Sequence, residues 1–146
     1  VSIACYAFPA GTLPEFDTYL SDGNNPDEPG WFLQWLQTRG PVYAFTFDGP
    51  WFDIGTPESY LDAVSWYLDG DTFVHGDATV EDADLGANVH VMADAAVTGA
   101  ELERTVVFND ATVSDADLDG TIVDEHARVE GLELSGSLVG AYSQVK

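Results

Sequence analysis

The sequence predicts two architectures in tandem: an α/β segment over residues 1–70 and a single-stranded parallel β-helix over residues 71–146. Three observations predict this. Helix-like and strand-like patterns alternate as far as Gly70-Asp71. Beyond that point, aliphatic residues recur at a step of 16. The runs that carry the repeat are also short, β-branched and interrupted by Gly, which excludes amphipathic helices.

In the first part, Ser2–Phe8 is apolar and reads as a buried strand. Cys5, the single cysteine, excludes an internal disulfide and is expected to be a buried small hydrophobe. Leu13–Leu20 reads as a short helix, with Thr12 as cap and Pro14 in the first turn. Ser21–Gly30 is rich in Asp, Asn, Pro and Gly and reads as a loop. Trp31–Arg39 reads as a helix with Trp31, Phe32, Trp35 and Leu36 at helical spacing, which assigns both tryptophans to the core, and Gly40 suits the position past its end. Val42–Phe47 alternates Tyr43, Phe45 and Phe47 with Val42, Ala44 and Thr46, the pattern of a second strand.

Trp51-Phe52-Asp53-Ile54 is apolar except for one carboxylate. Gly55 permits a sharp turn, Thr56 suits a helix N-cap, Pro57 fits the first helical position and Glu58 complements the helix dipole. Tyr60, Leu61, Val64 and Leu68 mark one helix face, and Asp69-Gly70 ends it. The unit presents Asp53 at the end of a strand, immediately before a helix.

The repeat is tight in register. Val97, Val113 and Val129 step by 16, as do Leu102, Leu118 and Leu134, and Val91, Val107, Val123 and Val139. Val80 and Leu85 begin the first two series with a step of 17. Ala78, Ala95, Ala111 and Ala127 precede the first-series valines by two. Three inward aliphatics per turn imply three short faces joined by tight corners, with the alanines close to corners where a larger side chain would crowd the bend. About four coils are expected, with Asp and Glu on the outside.

Twenty-six Asp and Glu face four Lys and Arg, a formal net charge of −22. Chains this acidic are often disordered, but disordered chains lack the aromatic and β-branched residues that abound here. A folded protein with an acidic surface follows. Such a surface excludes nucleic acid and anionic membranes as partners and repels itself at low salt. With a single lysine, Lys146, the balance fits a salt-loaded, halophilic cytoplasm. No stretch reads as a signal peptide or a membrane span, so a cytoplasmic location is expected. The chain opens at Val1, mid-strand by pattern, as expected of a piece of a longer chain.

The run Trp51-Phe52-Asp53-Ile54-Gly55-Thr56-Pro57-Glu58-Ser59-Tyr60-Leu61 resembles the W-x-D-[ILTV]-G-T-P segment of nucleoside-diphosphate-sugar pyrophosphorylases, the sugar-1-phosphate nucleotidyltransferases. The repeat resembles the hexapeptide-type left-handed β-helix found at the C-terminus of many members. Ile3–Phe8 is similar to the family's N-A-G-I-Y-x-F strand, although Ser2-Ile3-Ala4-Cys5-Tyr6 departs from it. The resemblance implies that residues 1–70 close a Rossmann-like catalytic domain and that the β-helix is left-handed. It implies that Asp53 is one of two aspartates holding a catalytic Mg²⁺, with Gly55 and Thr56 bordering the substrate; the residues by themselves equally allow Asp53 to cap backbone N–H groups at the helix start and Gly55 and Thr56 a plain turn-and-cap role. In such enzymes a sugar 1-phosphate oxygen attacks the α-phosphorus of a nucleoside triphosphate and pyrophosphate leaves; thymidylyl transfer to glucose 1-phosphate is the first expectation, with uridylyl and guanylyl transfer as the alternatives. A hard cation neutralises the crowded phosphate charge. The family's glycine-rich nucleotide loop, its first metal aspartate and its Glu-Lys pair would lie upstream, so this chain alone is expected to be inactive.

Two other classes of function stay open. Many left-handed β-helix proteins are acyltransferases with a His as general base at a trimer interface, and His126 is the candidate here. The alternative for His126 is an outward, solvated ring beside a corner, and no long loop interrupts the coils to bind an acyl donor. The third class is assembly: Val106, Phe108, Ile122 and Leu138 read as an outward apolar face through which the β-helix forms a homo-oligomer. Asp115-Ala116-Asp117-Leu118-Asp119-Gly120 begins like a calcium loop but puts His126 where a Glu is needed, and Leu118 belongs to the inward series.

Overall fold

The computed structural model describes residues 3–146, so Ser2 of the first expected strand lies outside it. The chain forms two compact units, Val1–Gly49 and Pro50–Lys146.

In the first unit, a 3-10 turn at Ala10–Thr12 runs into α1 (Leu13–Ser21), and α2 spans Pro29–Leu36. Pro14 stands in the first turn of α1, as expected, but Thr12 is itself helical and makes no capping bond. The second helix starts at Pro29, because proline presets a helical φ and lacks the N–H that a first turn leaves unused. Tyr19 of α1 and Phe32 of α2 are the buried residues of the two helices. Around them Phe16 stacks on Phe32 with ring centroids 4.1 Å apart, and Phe8 meets both rings edge-on at 5.3 and 5.7 Å.

Neither expected strand of this unit forms among its described residues. The described part of Ser2–Phe8 is irregular and delivers Phe8 to the aromatic cluster. Val42–Phe47 is also irregular, with Tyr43 and Phe45 87% and 89% exposed. A strand pattern becomes a strand only where a neighbouring backbone completes the ladder, and here the apolar packing is done by helices instead. For the same reason Cys5 is exposed rather than buried, since no sheet layer covers it. Trp31, expected in the core, is also exposed.

The second unit is a parallel β-solenoid of about five turns. Its strands fall into three sheets of five, five and four, all parallel. Face A carries Phe73–Val74, His90–Val91, Val106–Val107, Ile122–Val123 and Leu138–Val139. Face B carries Thr79–Glu81, Ala96–Thr98, Thr112–Ser114, Arg128–Glu130 and Gln144–Val145. Face C carries Asp84–Leu85, Glu101–Glu103, Asp117–Asp119 and Glu133–Ser135.

The inward aliphatics stack in the register the spacing implies. Val97 pairs with Val113, Val113 with Val129, and Leu102 with Leu118. Val74 and Val145 extend the ladders at the two ends, which brings the count above the four coils expected. The irregular step of 17 lies between Leu85 and His90, where one extra residue enters the corner beside Gly86-Ala87. The extra backbone is held from the next coil: Ala87 N–H donates to the Glu103 carboxylate at 3.0 Å, and Arg104 N–H donates to the Ala87 carbonyl.

The corners explain how so short a repeat closes. At all corners but the one at His75–Ala78 one residue takes a left-handed conformation, and these residues stack. One column is Asp94, Asp110, His126 and Tyr142. A second is Asp82, Gly99, Asp115 and Gly131. The third is Asn88, Arg104, Gly120 and Gly136. The alanines sit at the first corner, where Ala95, Ala111 and Ala127 close tight turns by donating to Met92, Phe108 and Asp124. All three are buried, so a larger side chain would have no room there.

Helix α3 (Pro57–Leu68) packs on the outside of face A. Leu61 meets Val106 and Ile122, with Tyr60, Val64, Met92 and Phe108 around them. The apolar face expected to serve assembly is thus largely covered by the chain's own helix. Val106 and Ile122 are buried and Phe108 is half-buried, while Leu138 remains exposed.

Candidate functional site

Asp53 stands in the irregular segment that precedes α3, with its side chain in solvent. No strand forms at Trp51–Ile54, so Asp53 ends a loop rather than a strand. Phe52 anchors this segment, its ring 5.8 Å from that of Trp66 on α3, while Trp51 and Ile54 are exposed. Gly55 donates its N–H to the Asp53 carbonyl at 3.0 Å, which bends the chain toward the helix. A Cβ at Gly55 would meet nothing within 4 Å and its φ is not left-handed, so this turn does not require glycine.

Thr56 performs the capping role read from the sequence. Its backbone is extended, its hydroxyl accepts from Ser59 N–H at 3.1 Å, and Ser59 Oγ accepts from Thr56 N–H at 3.1 Å. This reciprocal capping box satisfies two donors that the helix start leaves open. Pro57 and Glu58 follow in the first turn, and Asp69 ends the helix in a left-handed conformation.

Asp53 therefore lies beside a helix N-terminus, where the backbone dipole favours negative charge. One exposed carboxylate can supply one oxygen to a hard cation whose remaining shell is water and phosphate. Among the described residues no group of three or more His, Cys, Asp or Glu side chains is arranged to hold a metal by itself.

His126 occupies a left-handed corner of the solenoid. Its ring stacks on Tyr142, with centroids 4.8 Å apart, and Nδ1 lies 4.0 Å from Asp110 in the coil before. No loop interrupts the coils near it. His90 lies on face A against the edge of Phe73, with ring centroids 5.1 Å apart, and burial lowers its pKa. The calcium-like run forms no loop at all. Asp115 is a corner residue, and Asp117 and Asp119 flank the inward Leu118 on a face C strand.

Sequence reasoning missed Arg104. It stands in the third corner column and bridges to Glu58 and Asp62 on α3, at 2.9 and 2.8 Å. The available signal was a basic residue, one of four in the chain, at a repeat position that later coils give to Gly120 and Gly136. It also missed Thr105 and Thr121, which are fully buried and donate to the carbonyls of Glu103 and Asp119.

Neither the scan against models of known protein families nor the search of curated proteins matches this chain. Among the described residues no helix is long and apolar enough to cross a membrane.

Proposed function

We propose that this chain is the C-terminal part of a sugar-1-phosphate nucleotidyltransferase, with a left-handed β-helix as its closing domain. The observation that carries this is an order of elements. An Asp-Ile-Gly-Thr-Pro run leads through a capping box into a helix, and that helix packs on a parallel β-solenoid. In this proposal residues 1–70 belong to a Rossmann-like catalytic domain of the parent enzyme. Asp53 binds Mg²⁺ together with a carboxylate outside this chain, and Gly55 and Thr56 border the sugar phosphate. The cation lowers the charge barrier between a nucleoside triphosphate and a sugar 1-phosphate. The protein supplies an exposed carboxylate three residues before the Thr56 cap of the helix, and thymidylyl transfer to glucose 1-phosphate is the first reaction to try.

The proposal extends to a cytoplasmic, halophilic setting and to homo-oligomers formed through the β-helix. The −22 charge supports the first, and the exposed Phe73 and Leu138 at the two ends of face A support the second. Acyl transfer with His126 as base has less support, because its ring is engaged with Tyr142 and no loop is inserted between coils.

Pyrophosphate release by the full-length parent, assayed across nucleoside triphosphates and sugar 1-phosphates in molar KCl with Mg²⁺, tests the proposal. Asp53→Asn should lower turnover by about 10²-fold or more, since even residues that merely orient metal ligands are worth 10–100-fold. Full activity of Asp53→Asn, or acyl transfer without pyrophosphate release, would overturn it.

A further inference from the structure

The first unit holds a cleft of about 260 Å³ between the end of α1, the loop that follows it and α2. Its lining is Tyr19, Asn24, Asn25, Trp31, Gln34 and Trp35: three aromatic rings and three carboxamides, with no charged side chain. In a chain with 26 acidic residues, an uncharged cleft is a marked departure from the surrounding composition.

The lining is pinned by bonds that leave its rings oriented. Tyr19 OH donates to the Asn25 carbonyl at 2.9 Å, and Asn24 Nδ2 donates to the Tyr19 carbonyl at 2.8 Å. Asn25 Oδ1 accepts from Asp27 N–H at 2.9 Å. Trp31 Nε1 donates to Glu28 at 2.7 Å, yet the Trp31 side chain remains half exposed. Trp35 is packed by the Arg39 guanidinium, 3.9 Å from the ring centroid, by the near-parallel ring of Phe32 at 5.8 Å and by Tyr19 edge-on, which leaves Trp31 as the ring open to a ligand. Tyr19, Asn24, Asn25, Trp31 and Trp35 are thus held before any ligand arrives, which lowers the ordering cost of binding.

We propose that this cleft binds a neutral carbohydrate. A pyranose ring has an apolar C–H face that an indole can cover, and its hydroxyls both donate and accept, as carboxamides do. A few polar groups around an aromatic floor are the usual composition of a small-molecule site. The charges nearby select against phosphorylated or carboxylated ligands. Glu28 sits at Trp31 and would repel an anion, while Arg39 is occupied by Trp35 and by Glu15 and Asp22 at 3.9 and 3.8 Å. The site is built within residues 19–35 and does not rest on metal-dependent transfer at Asp53.

The test is an NMR titration of the full chain in molar KCl, following the Trp31 and Trp35 indole N–H signals. The probes are methyl glycosides of glucose, mannose and galactose, with glucose 1-phosphate as the charged arm. Saturable shifts with a Kd in the millimolar range are expected for at least one neutral glycoside, and weaker binding for glucose 1-phosphate. Trp31→Ala should weaken binding by about tenfold or more, with the far-UV spectrum unchanged. Gln34→Ala, at an exposed position, should weaken it several-fold and serves as the second variant if Trp31→Ala disturbs α2. No saturable shift with any neutral glycoside, unchanged affinity in both variants, or tighter binding of glucose 1-phosphate would overturn the proposal.

Discussion

Arg104, at a left-handed corner of the solenoid, donates from Nη2 to Asp62 on α3 at 2.8 Å. The same nitrogen reaches Glu58 at 2.9 Å, and the Glu58 hydrogen bond does most to push the Arg104 pKa further up. One cation thus ties two helical turns to the coil stack. The carboxylates are more than half exposed and Arg104 is about a quarter exposed, so solvent screens much of the attraction. Arg104→Ala should lower the unfolding free energy of this unit by about 1 kcal/mol at low salt and by less in molar KCl. Urea denaturation at two salt concentrations measures this. Arg128→Ala, which removes an exposed cation from face B, is the control, and an equal loss in both variants would refute the clamp.

The inward ladders were legible because each coil buries one aliphatic per face, and a 16-residue coil repeats that demand at fixed spacing. The capping box at Thr56 was half legible: its threonine was evident, but Ser59 in place of the usual Glu or Gln hid the reciprocal bond. The strand patterns at Ser2–Phe8 and Val42–Phe47 misled, because a ladder needs a neighbour that pattern alone does not supply. The outward residues of face A carried an ambiguous signal. Val106 and Ile122 looked like an interface for another chain, and α3 turned out to be the occupant. Arg104 shows in the sequence only as a rare basic residue at a repeat position, and the Tyr19–Trp35 cleft has no local signature, since each depends on contacts between separate elements.

The second corner column makes a prediction about glycine. Gly99, Asp115 and Gly131 occupy equivalent positions with φ of 61°, 50° and 68°. A side chain in this conformation costs about 1–2 kcal/mol for an ordinary residue and less for Asp, which tolerates it. Gly131→Ala should therefore cost about 1 kcal/mol although a Cβ there meets nothing within 4 Å. Asp115→Gly should have the opposite sign, a gain of up to about 1 kcal/mol, reduced by the greater freedom of glycine in the unfolded chain. Thermal or urea unfolding of the two variants decides it, and destabilisation by both would show that the corner backbone is not what sets the cost.

Face C carries the charge problem in its most ordered form. Asp84 pairs with Glu101, Glu101 with Asp117 and Asp117 with Glu133, so four carboxylates rise along one column at strand spacing, about 4.8 Å per step. Like charges directly opposite one another destabilise a sheet. Asp117→Asn, in the middle of the column, should raise stability by about 0.5 kcal/mol at low salt. The gain should vanish near 1 M KCl, where the Debye length falls to about 3 Å. Melting temperatures of both proteins across a KCl series measure this, and a gain that persists in molar salt would point to a local packing effect instead.

His90 gives face A a pH dependence of known sign. Its neighbours in the outward column are Phe73 and Val106, and burial lowers its pKa because the charged imidazolium loses hydration there. The unfolded chain then binds a proton more readily than the folded one. Stability is fully present above the ordinary His value of about 6.5 and is lost as pH falls through the lower folded value. His90→Val, which repeats the residue of the next coil, removes this term. The variant should show a flatter stability profile below about pH 6.5, by a small margin because the ring remains partly hydrated. Urea unfolding of both proteins at several pH values in constant molar KCl isolates the effect, since the carboxylates are common to both. Parallel profiles would place the His90 proton equilibrium outside the folding reaction.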